Sequence, residues 1–184
     1  MVRLTDGGTA FPGATSLALA LLSGPCTSGS WCAVVGAPDL GLVAAAQLGI
    51  DLERLALVPS AGAQWAVATA ALLEGFDVVL LKPPGQVGPS DARKLQARAR
   101  ERGSVLAVLA DNWPGSADLQ FGVVAGGWRG LEEGSGYLAG RQIEVLAGGR
   151  GASSRPRRGH LQLGSPVSLS LVEPNGPGSR RALP

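Results

Sequence analysis

A chain of 184 residues with 45% apolar and 16% charged side chains is long and apolar enough to bury a substantial single core. It holds one histidine and two cysteines, too few for a zinc set, and no apolar run is long or unbroken enough to span a bilayer. The net charge of +2 is uneven: residues 1–149 carry ten basic and thirteen acidic side chains, residues 150–184 six arginines and one glutamate, so a weakly acidic body precedes a basic tail.

Val2–Thr5 reads as a short first strand. The stretch "GTAFPGATSL" that follows is close to a phosphate-binding loop, G-x-x-x-x-G-K-[S/T]. Gly8 and Gly13 have the glycine spacing and Thr15 the hydroxyl position, but Ala14 stands where the lysine belongs. Ala14–Leu22 is rich in strong helix formers, with Gly24-Pro25 as its stop. Trp31–Val35 reads as a buried strand, with Trp31 in the core, and Leu40–Leu48 as a helix ended by Gly49. Leu55–Val58 is a short strand, Gly62–Leu73 an alanine-rich helix and Asp77–Leu81 a continuous apolar strand closed by Pro83-Pro84.

Ser90 is the N-cap candidate of a helix that runs to Arg102 and leaves at Gly103, and Ser104–Leu109 is a further buried strand. Strands that are apolar throughout and separated by helices call for a parallel sheet covered on both faces. After residue 115 the pattern alternates, in Leu119–Val124 and Tyr137–Leu146, which predicts an antiparallel β extension over 116–149. From Arg150 onward, Gly, Ser, Pro and Arg dominate, so residues 150–184 are expected to be a mostly disordered basic tail with one candidate edge strand at 160–163.

The order and spacing of these segments resemble the ATP-binding core of the bacterial recombinase RecA over roughly residues 2 to 82. Leu48-Gly49-Ile50-Asp51, Gly62-Ala63-Gln64 and the Phe76–Leu81 strand carry the likeness. More narrowly, GATSLALALLSG, Asp39–Leu42, Leu52–Leu55, Val58-Pro59, Gln64–Ala66, Asp77–Leu80, Arg100–Gly103 and Arg155–Arg157 resemble the RecA-like accessory proteins called ImuA, actinobacterial type, which are related to the cell-division inhibitor SulA. The resemblance implies an α/β RecA-like P-loop core, residues 1–149, with a mostly parallel sheet flanked by helices (1–115) before the antiparallel extension. It implies a part in SOS-induced translesion synthesis by binding an ImuB-like Y-family polymerase homologue, together with an error-prone replicative-type polymerase. Recombinases of this kind clasp the next subunit with a segment before the first core strand; here the sequence opens on that strand, so this route of assembly is not expected.

Hydrolysis of ATP by such a core needs a lysine on the phosphates, a carboxylate behind Mg²⁺ and a group that activates water. Ala14 replaces the lysine, Lys82 stands at the end of the strand where the Mg²⁺-linked carboxylate is expected, and Pro38 fills the place of the recombinase glutamate. A pseudo-ATPase with no cofactor is therefore expected, although the helix start alone still favours an anion and leaves weak ATP binding open. A residual ATP-binding module and a SulA-like division inhibitor are the alternative functions.

At 100° per residue, Arg93 and Arg100 share one helix face. They are either a solvated outer face or, with Arg155, Arg157 and Arg158 of the tail, a contact for nucleic acid or an acidic partner. Trp65, Trp113 and Trp128 are candidate interface anchors, with core burial the competing reading. No signal peptide precedes the first strand, so a soluble cytoplasmic protein is expected, and Cys26 and Cys32 read as reduced, small hydrophobes around a turn.

Overall fold

A computed structural model describes residues 1–5, 13–132, 135–151, 154–163 and 168–172. The elements in chain order are β1 (Val2–Thr5), α1 (Ala14–Thr27), β2 (Cys32–Val35), α2 (Leu42–Gln47), β3 (Leu55–Val58), α3 (Trp65–Leu72), β4 (Val78–Leu81), α4 (Pro89–Arg102), β5 (Val105–Leu109), β6 (Leu119–Glu132), β7 (Ser135–Gly149), β8 (Arg157–Leu163) and β9 (Ser168–Val172). They build one mixed sheet in the order β3-β2-β4-β5-β1-β6-β7-β8-β9. Pairing is parallel from β3 through β6 and antiparallel from β6 through β9.

The runs CAVV and VVLL explain the centre. Every residue of β2 and β4 is buried, because successive side chains enter opposite layers. Cys32, Val34, Val78 and Leu80 pack with α1 and Ala45 of α2. Ala33, Val35, Val79 and Leu81 pack with α3, α4 and Trp113. Each fully buried Leu or Val contributes about 1.5–3 kcal/mol by removal from water. The first layer extends past β1 onto the antiparallel strands through Val123, Ile143, Val145, Leu161 and Leu163.

Several elements differ from the sequence expectation. Helix α1 does not stop at Gly24-Pro25 but runs to Thr27 with Pro25 inside it. Proline this close to the end removes one backbone donor, and the last turn closes through Ser28 N–H to the Gly24 and Pro25 carbonyls. Ser90 is not the N-cap of α4: Gly88 is, and Pro89 takes the first helical position, where its missing N–H costs nothing. Gly103 ends α4 as expected, in the left-handed region at φ 71°. Trp31 precedes β2 and is 48% exposed, with its ring edge-on to Phe76.

The expected tail also holds more structure than its composition suggested. Strand β8 begins three residues before the candidate strand at 160–163, and β9 pairs outside it, so β8 is an inner strand. Gly159, Leu161 and Leu163 alternate inward, and a period of two suffices where a neighbouring strand already offers an apolar layer.

Candidate functional site

Helix α1 begins beside the carboxyl end of β1, the central position at which doubly wound sheets bind phosphate. Gly8 lies outside the described residues. Gly13 is the N-cap, with no side-chain cap, and its carbonyl starts the helix by accepting from Leu17 at 2.9 Å. A Cβ on Gly13 would lie 3.1 Å from Val123 Cγ1 and 3.4 Å from Arg141 Nη2, so the helix start is tightly packed. Ala14 is buried at 2% exposure, whereas Thr15 is exposed.

The cation at this helix start comes from β7. Arg141 Nη1 donates to Ser16 Oγ at 3.3 Å, and the guanidinium lies over the Trp128 ring, 4.9 Å from its centroid. Its Nε is buried with no hydrogen-bond partner. Trp128 and Arg141 are register partners on β6 and β7, which explains the stacking. Neither Arg141 nor Ser16 was singled out in the sequence. The available signal was an arginine in phase with Ile143 and Val145, at an inward position of an alternating strand.

Pro38 and Lys82, the other two positions marked in the sequence, follow β2 and β4 at the same end of the sheet. After β2, Gly36 turns at φ 78°, and a Cβ there would stand 2.0 Å from the Lys82 carbonyl oxygen. Strands β2 and β4 are laced at this point by Lys82 N–H to the Val35 carbonyl, 2.8 Å. The Pro38 and Lys82 side chains are both exposed. Asp39, beside Pro38, and Asp111, two residues past β5, are exposed carboxylates near the same edge. Among the described residues, no group of three or more His, Cys, Asp or Glu could hold a metal.

The basic candidates separate. Arg93 and Arg100 are exposed on α4, while Arg98 and Arg102 pair with Glu74. Arg155, Arg157 and Arg158 are exposed, and Arg158 Nη1 is 2.6 Å from Glu144 Oε1. Arg100 converges with Arg150 on Asp118: the amino-terminal ammonium donates to that carboxylate at 2.6 Å and chiefly holds its pKa down, and both arginines add to the effect. Of the three anchor candidates, Trp128 is 56% exposed and Trp65 is half-buried against the α3–α4 layer. Trp113 is buried at 5% exposure and is not a surface anchor; its indole ring belongs to the core under α4. No helix among the described residues is long and apolar enough to cross a membrane.

The MT3502 N-terminal domain family matches residues 3–115. A Mycobacterium tuberculosis protein, uncharacterized protein Rv3395c, is 35% identical over 145 residues, 75% of this chain and 71% of its own length. Among solved structures, SulA from Pseudomonas aeruginosa covers 58% of this chain and 93% of its own at 16% identity, with a TM-score of 0.47. Biliverdin reductase from Synechocystis sp. PCC 6803 aligns over 98% of this chain and 85% of its own at 11% identity, with a TM-score of 0.24.

Proposed function

The chain belongs to the MT3502 N-terminal domain family, and from that premise we propose that it is a catalytically inactive, RecA-like scaffold of the ImuA type. It acts in the cytoplasm during SOS-induced mutagenic repair by binding an ImuB-like polymerase homologue, with an error-prone replicative-type polymerase in the same assembly. The observation that carries this reading is the carboxyl edge of the sheet. A buried Ala14 stands at the lysine position, and an exposed Pro38 and Lys82 stand where an ATPase needs carboxylates. Each loss removes a different part of the chemistry, so none compensates for another. A fold that keeps its sheet without these groups is a binding platform. Exposed Arg93, Arg100, Arg155 and Arg157 add a salt-sensitive DNA contact, and exposed Trp128 is the anchor best placed to enter a partner. Co-purification with a full-length ImuB-like protein tests the reading: a stable complex is expected, and no association at micromolar concentrations overturns it.

One observation favours a second reading, residual phosphate binding. Arg141 brings positive charge to the positive end of α1, an unfavourable pairing unless an anion joins it, and its buried Nε–H has no acceptor. Calorimetry with Mg-ATP and with inorganic phosphate separates the two readings: heat with either ligand supports anion binding, and none at high micromolar concentration removes it.

A further inference from the structure

Cys26 ends the buried face of α1 and Cys32 opens β2. The chain reverses between them through Gly29 at φ 91°, held by Gly29 N–H to the Cys26 carbonyl and Ser30 N–H to the Pro25 carbonyl, both at 3.0 Å. This turn sets the two sulfurs 2.8 Å apart, Cys26 donating to Cys32. A disulfide needs about 2.05 Å between sulfurs, so closing the bond takes a movement of less than about 1 Å. Both thiols are free and buried, at 2% and 0% exposure. Their access differs. Cys26 lies on the wall of an open cleft of about 520 Å³ bounded by Thr27, Gly29, Ile50 and Arg54. Both sulfurs belong to the buried core, and Cys32 does not line that cleft.

We propose that Cys26 and Cys32 form a peroxide-oxidised dithiol, with Cys26 the attacking sulfur and Cys32 the resolving one. A small hydroperoxide enters through the cleft. The Cys26 sulfur attacks one peroxide oxygen, the O–O bond breaks, and the departing hydroxide takes the thiol proton to leave as water, giving a sulfenic acid. Cys32 then attacks the Cys26 sulfur. The S–O bond breaks, and the hydroxyl leaves with the Cys32 proton as a second water. The two sulfurs lose two electrons in all, and the peroxide gains them. Arg54, whose Nη1 donates to the Gly29 carbonyl at 2.6 Å, lines the same cleft with Asp51, 3.6 Å from its Nε. Burial holds the Cys32 thiol protonated, so its proton is at hand for the departing hydroxyl. The closed ring spans residues 26–32 and includes the exposed Trp31, so oxidation fixes the approach of that indole to its neighbours.

The test treats the folded full-length chain with hydrogen peroxide, quenches it, alkylates it in denaturant and digests it with trypsin. Both cysteines lie in the single tryptic peptide Leu4–Arg54. The expected result is loss of both alkylation sites together, with the peptide lighter by two hydrogens and a rate independent of protein concentration. In Cys32→Ser, oxidation stops at a Cys26 sulfenic acid that dimedone traps, and in Cys26→Ser, Cys32 stays alkylatable. Two alkylated cysteines after treatment of the folded wild-type chain, a Cys26 sulfinic acid without a link, or a link between two chains would each overturn the proposal. The wild-type measurement stands even if a variant fails to fold.

Discussion

Arg141 Nη1 donates to Ser16 Oγ at 3.3 Å, tying β7 to the first turn of α1 across 125 residues of sequence. The contact sets a cation against the positive end of a helix, an arrangement that costs about 0.3–1 kcal/mol where charge and dipole meet unscreened. Contact with the Trp128 face offsets it by about 0.5–1 kcal/mol or more. Arg141→Met keeps the apolar stem and removes both the charge and the orphaned Nε–H. Its unfolding midpoint is therefore expected to match or exceed that of the wild type, whereas Arg141→Ala loses about 1 kcal/mol through lost packing. If phosphate stabilises the wild type, Arg141→Met abolishes that shift, as read by thermal denaturation with and without phosphate.

Under the proposed reading, a lysine at position 14 is not enough to make an enzyme. Ala14→Lys is expected to give no ATP turnover in a phosphate-release assay, because Pro38 and Lys82 still stand where the proposed reading puts the carboxylates. Ala14 is buried, so the longer side chain is also expected to cost about 1–3 kcal/mol by overpacking. Measurable turnover in this single variant would show that the two carboxylate slots lie elsewhere, with Asp39 and Asp111 the residues to test next.

Two glycines separate backbone strain from collision. Gly103→Ala meets nothing within 4 Å and is expected to lose about 1–2 kcal/mol, the cost of a left-handed alanine at φ 71°. Gly36→Ala adds a Cβ 2.0 Å from the Lys82 carbonyl oxygen at a similar φ, so its loss is expected to exceed that of Gly103→Ala by about 1–3 kcal/mol. Urea unfolding of the two variants measures the difference, and equal midpoint shifts would show that the β2–β4 junction gives way freely.

Alkali is expected to weaken the fold through Cys32. Burial, reinforced by the hydrogen bond with Cys26, pushes this thiol above its ordinary value of 9.0. As the pH rises past that value the unfolded chain gives up the proton and the folded chain keeps it, so the unfolded state is favoured. The contribution is thus fully present below the ordinary thiol range and is lost as the pH climbs toward the folded value. Cys32→Ala is expected to show an alkaline stability slope shallower by up to one proton, about 1.4 kcal/mol per pH unit. Matching slopes would mean that Cys32 ionises in the fold as freely as in the unfolded chain.

Much of the parallel half was legible because its signals are local. Apolar runs such as VVLL can only be buried on both faces, and Gly103 ends α4 by a requirement of its own backbone. Strand β8 was not legible from composition, because the burial of Leu161 and Leu163 comes from a layer that β6 and β7 had already built, and β9 pairs on its outer edge. Trp31 was misread for a related reason: an apolar side chain next to a strand need not share its layer, and this one lies just before the start of β2, beside Phe76. The positions of Ala14, Pro38 and Lys82 at the carboxyl edge could be read by counting along the chain. Arg141 could not, since its meeting with Ser16 depends on which strand crosses the start of α1.

The place of β1 has a consequence for how the chain folds as it is made. Both strands that flank it, β5 and β6, begin only at Val105 and Leu119, while β2, β3 and β4 find their partners within a much shorter stretch. A nascent chain therefore carries β1 with both edges open while the strands synthesised after it already have neighbours. Closing the long loops on either side is an entropic cost met before the central contacts repay it. Strand β1, made before the other described strands, is thus among the last of them to be enclosed, and until then its open edges are exposed to wrong pairing.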